Sequence, residues 1–156
     1  MMRHLPAPPL SFLADMELTV EGAHLPGKTP AGNRRIIRVT GGALRGDKLN
    51  AEVVPGGDDW ITVQEDGTII QDVRILLRTD DDALILMSYR GIRTGEPEVL
   101  KRLDNNEGVD PDEYYFRTSP IFETASSKYD WLNRRVFVSK GIRLPGKVNY
   151  SIYTVD

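Results

Sequence analysis

The stretch Val53–Asp82, VVPGGDDWITVQEDGTIIQDVRILLRTDDD, gathers the side chains best equipped for chemistry. A Gly pair precedes Asp58, Asp59 and Trp60, and a later strand carries Arg74 and Arg78 towards a run of three Asp. A carboxylate beside an indole and opposite guanidinium groups can move a proton on a small aromatic molecule while a cation holds the oxygen that turns negative. On that reading Asp59 is a general base or hydroxyl acceptor, Trp60 an aromatic wall, and Arg74 and Arg78 share one strand face. The competing account is structural: Asp58 and Asp59 cap the Gly-Gly turn, Trp60 packs in the core, and the Arg face meets solvent. Burying either guanidinium would require a carboxylate partner, for which Asp59, Asp80 and Glu123 are available.

Tyr89 shares a face with Ala83, Ile85 and Met87, so it offers a pocket wall with a hydroxyl handle, or a core ring with a satisfied hydroxyl. In YYFRTSP, Tyr115 and Arg117 share a face opposite Tyr114, Phe116 and Thr118. Arg117 is therefore a second candidate clamp for an anion or enolate, or the salt-bridge partner of Glu123. Trp131 precedes a strand and would either pack at a barrel end or stack on an aromatic ligand.

Other chemistries are excluded or disfavoured. The chain has no Cys, which removes thiol catalysis, disulfides and Cys-ligated zinc. His4 and His24 fall in proline-rich surroundings without metal-ligand spacing, and the Asp80–Asp82 run lacks the long loop and distal Glu of a calcium site, so no metal is expected. Neither Gly41-Gly42 nor Gly56-Gly57 opens a helix, no Ser lies in a nucleophile elbow, and no cofactor is expected. A net charge of −3 with interleaved signs argues against nucleic acid. No apolar run is long enough to cross a membrane, and Pro6, Pro8 and Pro9 interrupt the N-terminal stretch where a signal sequence would need one. A flexible leader over residues 1–13, one domain over 14–156 and a cytoplasmic setting follow as expectations. Tyr and Val on the last strand leave homo-oligomerisation open.

The elements that must position these residues are strands. Ala14, Met16, Leu18 and Val20 alternate with Asp15, Glu17, Thr19 and Glu21, giving one buried and one wet face. Further strands are read over Arg34–Thr40, Ala43–Val54, Asp59–Gln64, Ile69–Thr79, Ala83–Arg90, Tyr114–Thr118, Ile121–Thr124, Val136–Ser139 and Val148–Val155; Ile69–Thr79 and Val148–Val155 alternate, while Ala83–Arg90 is apolar on both faces and reads as central in the sheet. His24–Gly32 reads as a loop, Pro55-Gly56-Gly57 as a turn, and Asp66-Gly67 as a hairpin. Pro97–Leu103 is the one good helix. About nine or ten short strands and one helix make a single all-β domain, an antiparallel barrel or sandwich, and a barrel of this size can hold one small ligand.

The series GKTPAGNRRI, VTGGALRGDKL, VVPGGDDW, DVRILLRTDDDALILM, YYFRTSPIFET and WLNRRVFVSKG resembles the "domain of unknown function 3237" family, also labelled UPF-0311, from about Glu17 to Val155. That resemblance implies an antiparallel β-barrel. It also implies a link with ring closure or isomerisation of phenolic and flavonoid-like compounds, the activity associated with a few fungal relatives. Asp82 stands where the family commonly has Gly in Thr-Asp-Asp-Gly, and Asp tolerates left-handed backbone better than most residues.

Two functions remain open. In the first, a cyclase or isomerase needing no cofactor acts on a small aromatic or enone compound, with Asp59 or Glu123 taking a proton and Arg74 or Arg117, with Tyr89, holding the enolate oxygen. Trp60, Arg78, Tyr115 and Trp131 would complete the pocket. In the second, the barrel binds or carries a hydrophobic small molecule in the manner of a lipocalin, without turnover.

Overall fold

Two-residue alternation becomes eight antiparallel strands in the computed structural model, which describes residues 1–156. They are β1 (Leu10–Thr29), β2 (Gly32–Arg45), β3 (Asn50–Val63), β4 (Ile69–Thr79), β5 (Leu84–Thr94), β6 (Tyr115–Thr124), β7 (Val136–Leu144) and β8 (Lys147–Val155). Each pairs with the next, and β8 returns to β1, so the sheet closes into a barrel.

The count is eight because turn-like residues lie inside strands. Pro55-Gly56-Gly57 is a bulge within β3, Gly41-Gly42 an irregularity within β2, and Ser119-Pro120 runs through β6 without breaking it. His24–Gly32 is not a loop: β1 continues to Thr29 and pairs with Gly32 of β2 across a tight turn. β1 also begins at Leu10, which pairs with Val155, so Leu10–Leu13 join the barrel.

Twenty-six buried residues form one core, and side chains alternate between it and the outer wall. In β4 the inward set is Ile69, Gln71, Val73, Ile75 and Leu77. The ends are closed differently. Helix α1 (Pro97–Asp104) starts with Pro in its first turn and buries Leu100 and Leu103 over one end, with Leu100 packed on the Asp66-Gly67 hairpin. At the other end a short 3-10 helix, Asp130–Arg134, buries Leu132, with Tyr129 beside it and Trp131 packed 6.4 Å from Phe137.

The β6–β7 seam is the weakest, with only Arg117–Lys140 and Thr118–Ser139 in register. Pro120 has no N–H with which to extend it. Further along, the Asn133 amide takes over as a strand would: its oxygen accepts from the Thr124 N–H at 2.9 Å and its nitrogen donates to the Thr124 carbonyl at 3.0 Å.

The acidic turn after β4 is structural. Asp82 adopts φ +67, as its Gly-equivalent position requires. Asp81 accepts from Thr79, Lys128 and Tyr129 at 2.6, 2.7 and 2.9 Å, and these bonds hold its carboxyl well below the ordinary range.

Candidate active site

The barrel interior changes character along its axis. Towards the Asp130–Arg134 end it is aliphatic and aromatic: Leu44, Leu77, Ile85, Phe122, Phe137 and Ile152. Towards α1 the same strands turn polar. β4 steps from Val73 to Gln71, β5 from Tyr89 through Gly91 to Arg93, and β7 from Ser139 through Gly141 to Arg143.

Asp59 enters this polar half because of the β3 bulge. Val54 to Asp58 is four steps on β3, matched by two steps from Leu76 to Arg74 on β4. Two extra residues preserve the alternation, so Val53 and Asp59 both point inward. Gly is needed at 57, since a Cβ there would lie 2.5 Å from the Arg74 carbonyl oxygen.

Asp59 is 8% exposed and hydrogen-bonded at both oxygens. Oδ1 accepts from the Asp72 backbone N–H at 3.2 Å, and Oδ2 from Gln71 Nε2 at 3.2 Å. Gln71 Nε2 also reaches the Tyr150 hydroxyl at 3.3 Å, and the Tyr89 hydroxyl donates to Tyr150 at 3.1 Å. The two rings meet edge to face at 5.3 Å. In this arrangement the Tyr150 oxygen accepts twice, leaving its own proton uncommitted. Gln71 Oε1 is buried without a partner. A protonated Asp59 would supply that missing donor if the amide turned over, so the network can serve both protonation states.

Two inward glycines make the room. A Cβ at Gly91 would lie 2.5 Å from Gln71 Oε1, and one at Gly141 would lie 2.9 Å from the Phe116 ring. Beside them Thr118 and Ser139 hydrogen-bond across the β6–β7 seam.

Burial dominates the electrostatics. It pushes the Asp59 carboxyl up to about 7, against the pull of the Asp72 and Gln71 hydrogen bonds and of Arg93. It also lifts both Tyr89 and Tyr150 above the ordinary tyrosine range, so each stays a neutral donor. Arg93 is pushed down to about 10 by burial and by Arg143, yet remains a cation at neutral pH. Arg93 is 8% exposed as a residue; its guanidinium makes no ion pair and no hydrogen bond, its Nε is buried without a partner, and the group lies 5.9 Å from the Phe116 ring centroid.

Of the side chains singled out in the sequence, only Asp59 and Tyr89 belong to this cluster. Arg74, Arg78, Arg117 and Glu123 occupy outward positions of β4 and β6, because the apolar residues alternating with them claim the interior. None of the three Arg can therefore serve as a clamp for chemistry at Asp59. Trp60 and Tyr115 are about half exposed, also on the outside. Arg78 pairs with Asp82 at 3.8 Å, and Arg117 stacks 5.0 Å over Tyr115. Arg117 and Tyr115 line an outer groove of about 570 Å³ with Arg90 and Ile92, which contains none of the interior polar residues Asp59, Gln71, Tyr89 or Arg93. Trp131 packs at the far end. Gln71, Arg93 and Tyr150 escape a sequence reading, although each carried one signal: a polar group on the apolar parity of its strand.

Comparison with known proteins places the chain. A family model described as "Protein of unknown function (DUF3237)" matches residues 8–155. The chain belongs to this family. A UPF0311 protein of Clostridium acetobutylicum is 39% identical over 125 residues, covering 80% of this chain and 79% of the relative. The crystal structure of a conserved protein of unknown function from Rhodopseudomonas palustris superposes with TM-score 0.94 at 30% identity, covering 97% of this chain and all of that one. Another relative carries an activity in its name: the hydroalkoxylation enzyme phnH of Penicillium herquei is 30% identical over 129 residues, 82% of this chain and 71% of the relative. The Asp59–Gln71–Tyr150–Tyr89 cluster thus lies in a barrel shared by proteins mostly without assigned function.

Proposed function

We propose that this barrel is an acid–base catalyst of ring closure or isomerisation on a small aromatic or enone compound, with Asp59 moving the proton. The observation that carries the reading is a buried carboxyl lifted to about 7, joined through the Gln71 amide to a tyrosine hydroxyl whose proton is uncommitted. A group poised near neutral pH can both take and return a proton. The relative named as a hydroalkoxylation enzyme supports the same class of chemistry.

In ring closure of a hydroxyaryl enone, the Asp59 carboxylate takes the hydroxyl proton as oxygen bonds to the β carbon. The alkene pair moves through the α carbon onto the carbonyl oxygen, where the Tyr150 hydroxyl donates a hydrogen bond. The α carbon then takes the proton back from Asp59, so one O–C and one C–H bond form and the catalyst is restored. Acid–base assistance of this kind contributes ~10²–10⁴-fold.

The closed strand order supports one alternative, a barrel that carries a ligand without turnover. Assay of an ortho-hydroxyaryl enone by absorbance separates the two. The catalytic reading expects kcat/KM to fall below about pH 7 as Asp59 protonates, and Asp59→Asn to lose about 10²-fold or more while still binding. A wild type that binds the enone and converts it no faster than Asp59→Asn establishes the carrier instead.

A further inference from the structure

We propose that Arg93, with Arg143 beside it, is a binding subsite for the carboxylate of a planar aromatic acid, held at the α1 end of the barrel. The inference rests on reading the barrel interior as a ligand site, and it adds the class of ligand.

Arg93 is more than nine-tenths buried, its Nε has no partner, and no carboxylate lies within ion-pair distance of it. Its neighbours are a second cation and aromatic groups: Arg143, Tyr114, Tyr150 and the Phe116 ring. Asp104, at the end of α1, and Asp59 act on it only from a distance. Proteins seldom bury a guanidinium unpaired, because its desolvation is then uncompensated. Arg93 thus has a second cation as neighbour and no carboxylate in ion-pair contact, Asp59 and Asp104 acting on it only across a distance.

Arg143 is held for this role. Its Nη1 donates to the Leu103 carbonyl at 2.5 Å, and its backbone N–H donates to the Tyr114 hydroxyl at 3.1 Å. It is half-buried and tied to α1, beside Arg93. The planar fork of Arg93 matches a carboxylate, which can accept two parallel hydrogen bonds. Phe116 and Tyr150, stacked edge to face at 5.5 Å, supply flat apolar walls for the ring that would carry it. A phosphate would look instead for a Gly-rich loop at a helix N-terminus; α1 begins close by at Pro97, but Glu96 and Glu98 flank its first turn and disfavour an anion there. An acid held in this subsite reaches towards Gln71 and Asp59, whose layer lies below.

The test is calorimetric titration of the full chain with 4-hydroxybenzoate and with its methyl ester. The wild type should bind the acid roughly 10-fold to 100-fold more tightly than the ester, the usual range for charge-assisted hydrogen bonds. Arg93→Met should erase that preference, and Arg93→Lys should keep part of it through charge alone. Asp59→Asn should bind the acid at least as well as the wild type, since a nearby negative charge is gone. Equal affinity for acid and ester in the wild type overturns the subsite. So does absence of acid binding, or a preference that survives Arg93→Met. If Arg93→Met fails to fold, the wild-type comparison and Arg93→Lys still decide. Turnover of a neutral enone without any acid preference would sink the subsite and leave the catalytic reading standing; acid preference without turnover would do the reverse.

Discussion

Replacing Asp59 with Asn removes a titratable group while keeping its volume. In the unfolded chain this carboxyl titrates near 3.8; folded, burial lifts it to about 7. Between those values the folded protein holds the extra proton, so wild-type stability falls as pH rises through the window and levels off above it. At about 1.4 kcal/mol per pH unit the gap corresponds to about 4 kcal/mol. Asn forfeits part of that gain, because an amide presents one acceptor where the carboxylate offered two to Gln71 Nε2 and the Asp72 N–H. A lost hydrogen bond costs about 1 kcal/mol. At pH 8 the variant should therefore be more stable than the wild type by about 3 kcal/mol, or roughly 6–12 °C in melting temperature for a domain of this size. At pH 4 the order should vanish or reverse by about 1 kcal/mol. Urea unfolding of both proteins at the two pH values is the assay. Asp81, Asp112 and Glu113 are held below their ordinary values by hydrogen bonds and act in the opposite sense, but equally in both proteins, so the difference isolates Asp59. A variant no more stable than the wild type at pH 8 would show that Asp59 is content as an anion, and the argument for a costly, functional carboxyl would collapse.

Three further outcomes are expected. Gln71→Leu removes a hydrogen bond that favours the Asp59 carboxylate, so the pH midpoint of activity, or of the Asp59 carboxyl carbon in NMR titration, should move further to alkaline values; an acid shift would contradict the network. Gly91→Ala places a Cβ 2.5 Å from Gln71 Oε1 and 2.8 Å from Thr118 Cγ2, and overpacking should cost about 1–3 kcal/mol in urea unfolding; a neutral result would mean the polar layer is looser than described. Arg74→Ala and Arg117→Ala alter only the outer wall, so each should change stability by about 0.5 kcal/mol or less and leave enone turnover intact; a hundredfold loss of turnover in either would move the site outside the barrel.

Period two in stretches such as Ile69–Thr79 carried the fold class, because strand side chains must alternate when one face is buried. It also placed Val73, Ile75 and Leu77 together, and the Asp66-Gly67 hairpin stands where its turn chemistry demands. Family likeness along the chain was readable for the same reason: many short motifs keep their order. Strand number was less legible, since Pro55-Gly56-Gly57 and Ser119-Pro120 look like turns until neighbouring strands show that they continue pairing. The site depended most on tertiary structure. Sequence marks Arg74 and Arg117 as chemistry because charge is conspicuous, yet their alternating apolar neighbours win the interior and leave them in solvent. Asp59 reaches the inside only because a bulge on β3 absorbs two residues, and Gln71, Tyr89 and Tyr150 join its network only because eight strands close. Alternation alone divides residues between two faces; closure decides which face becomes the interior and which distant strands share it.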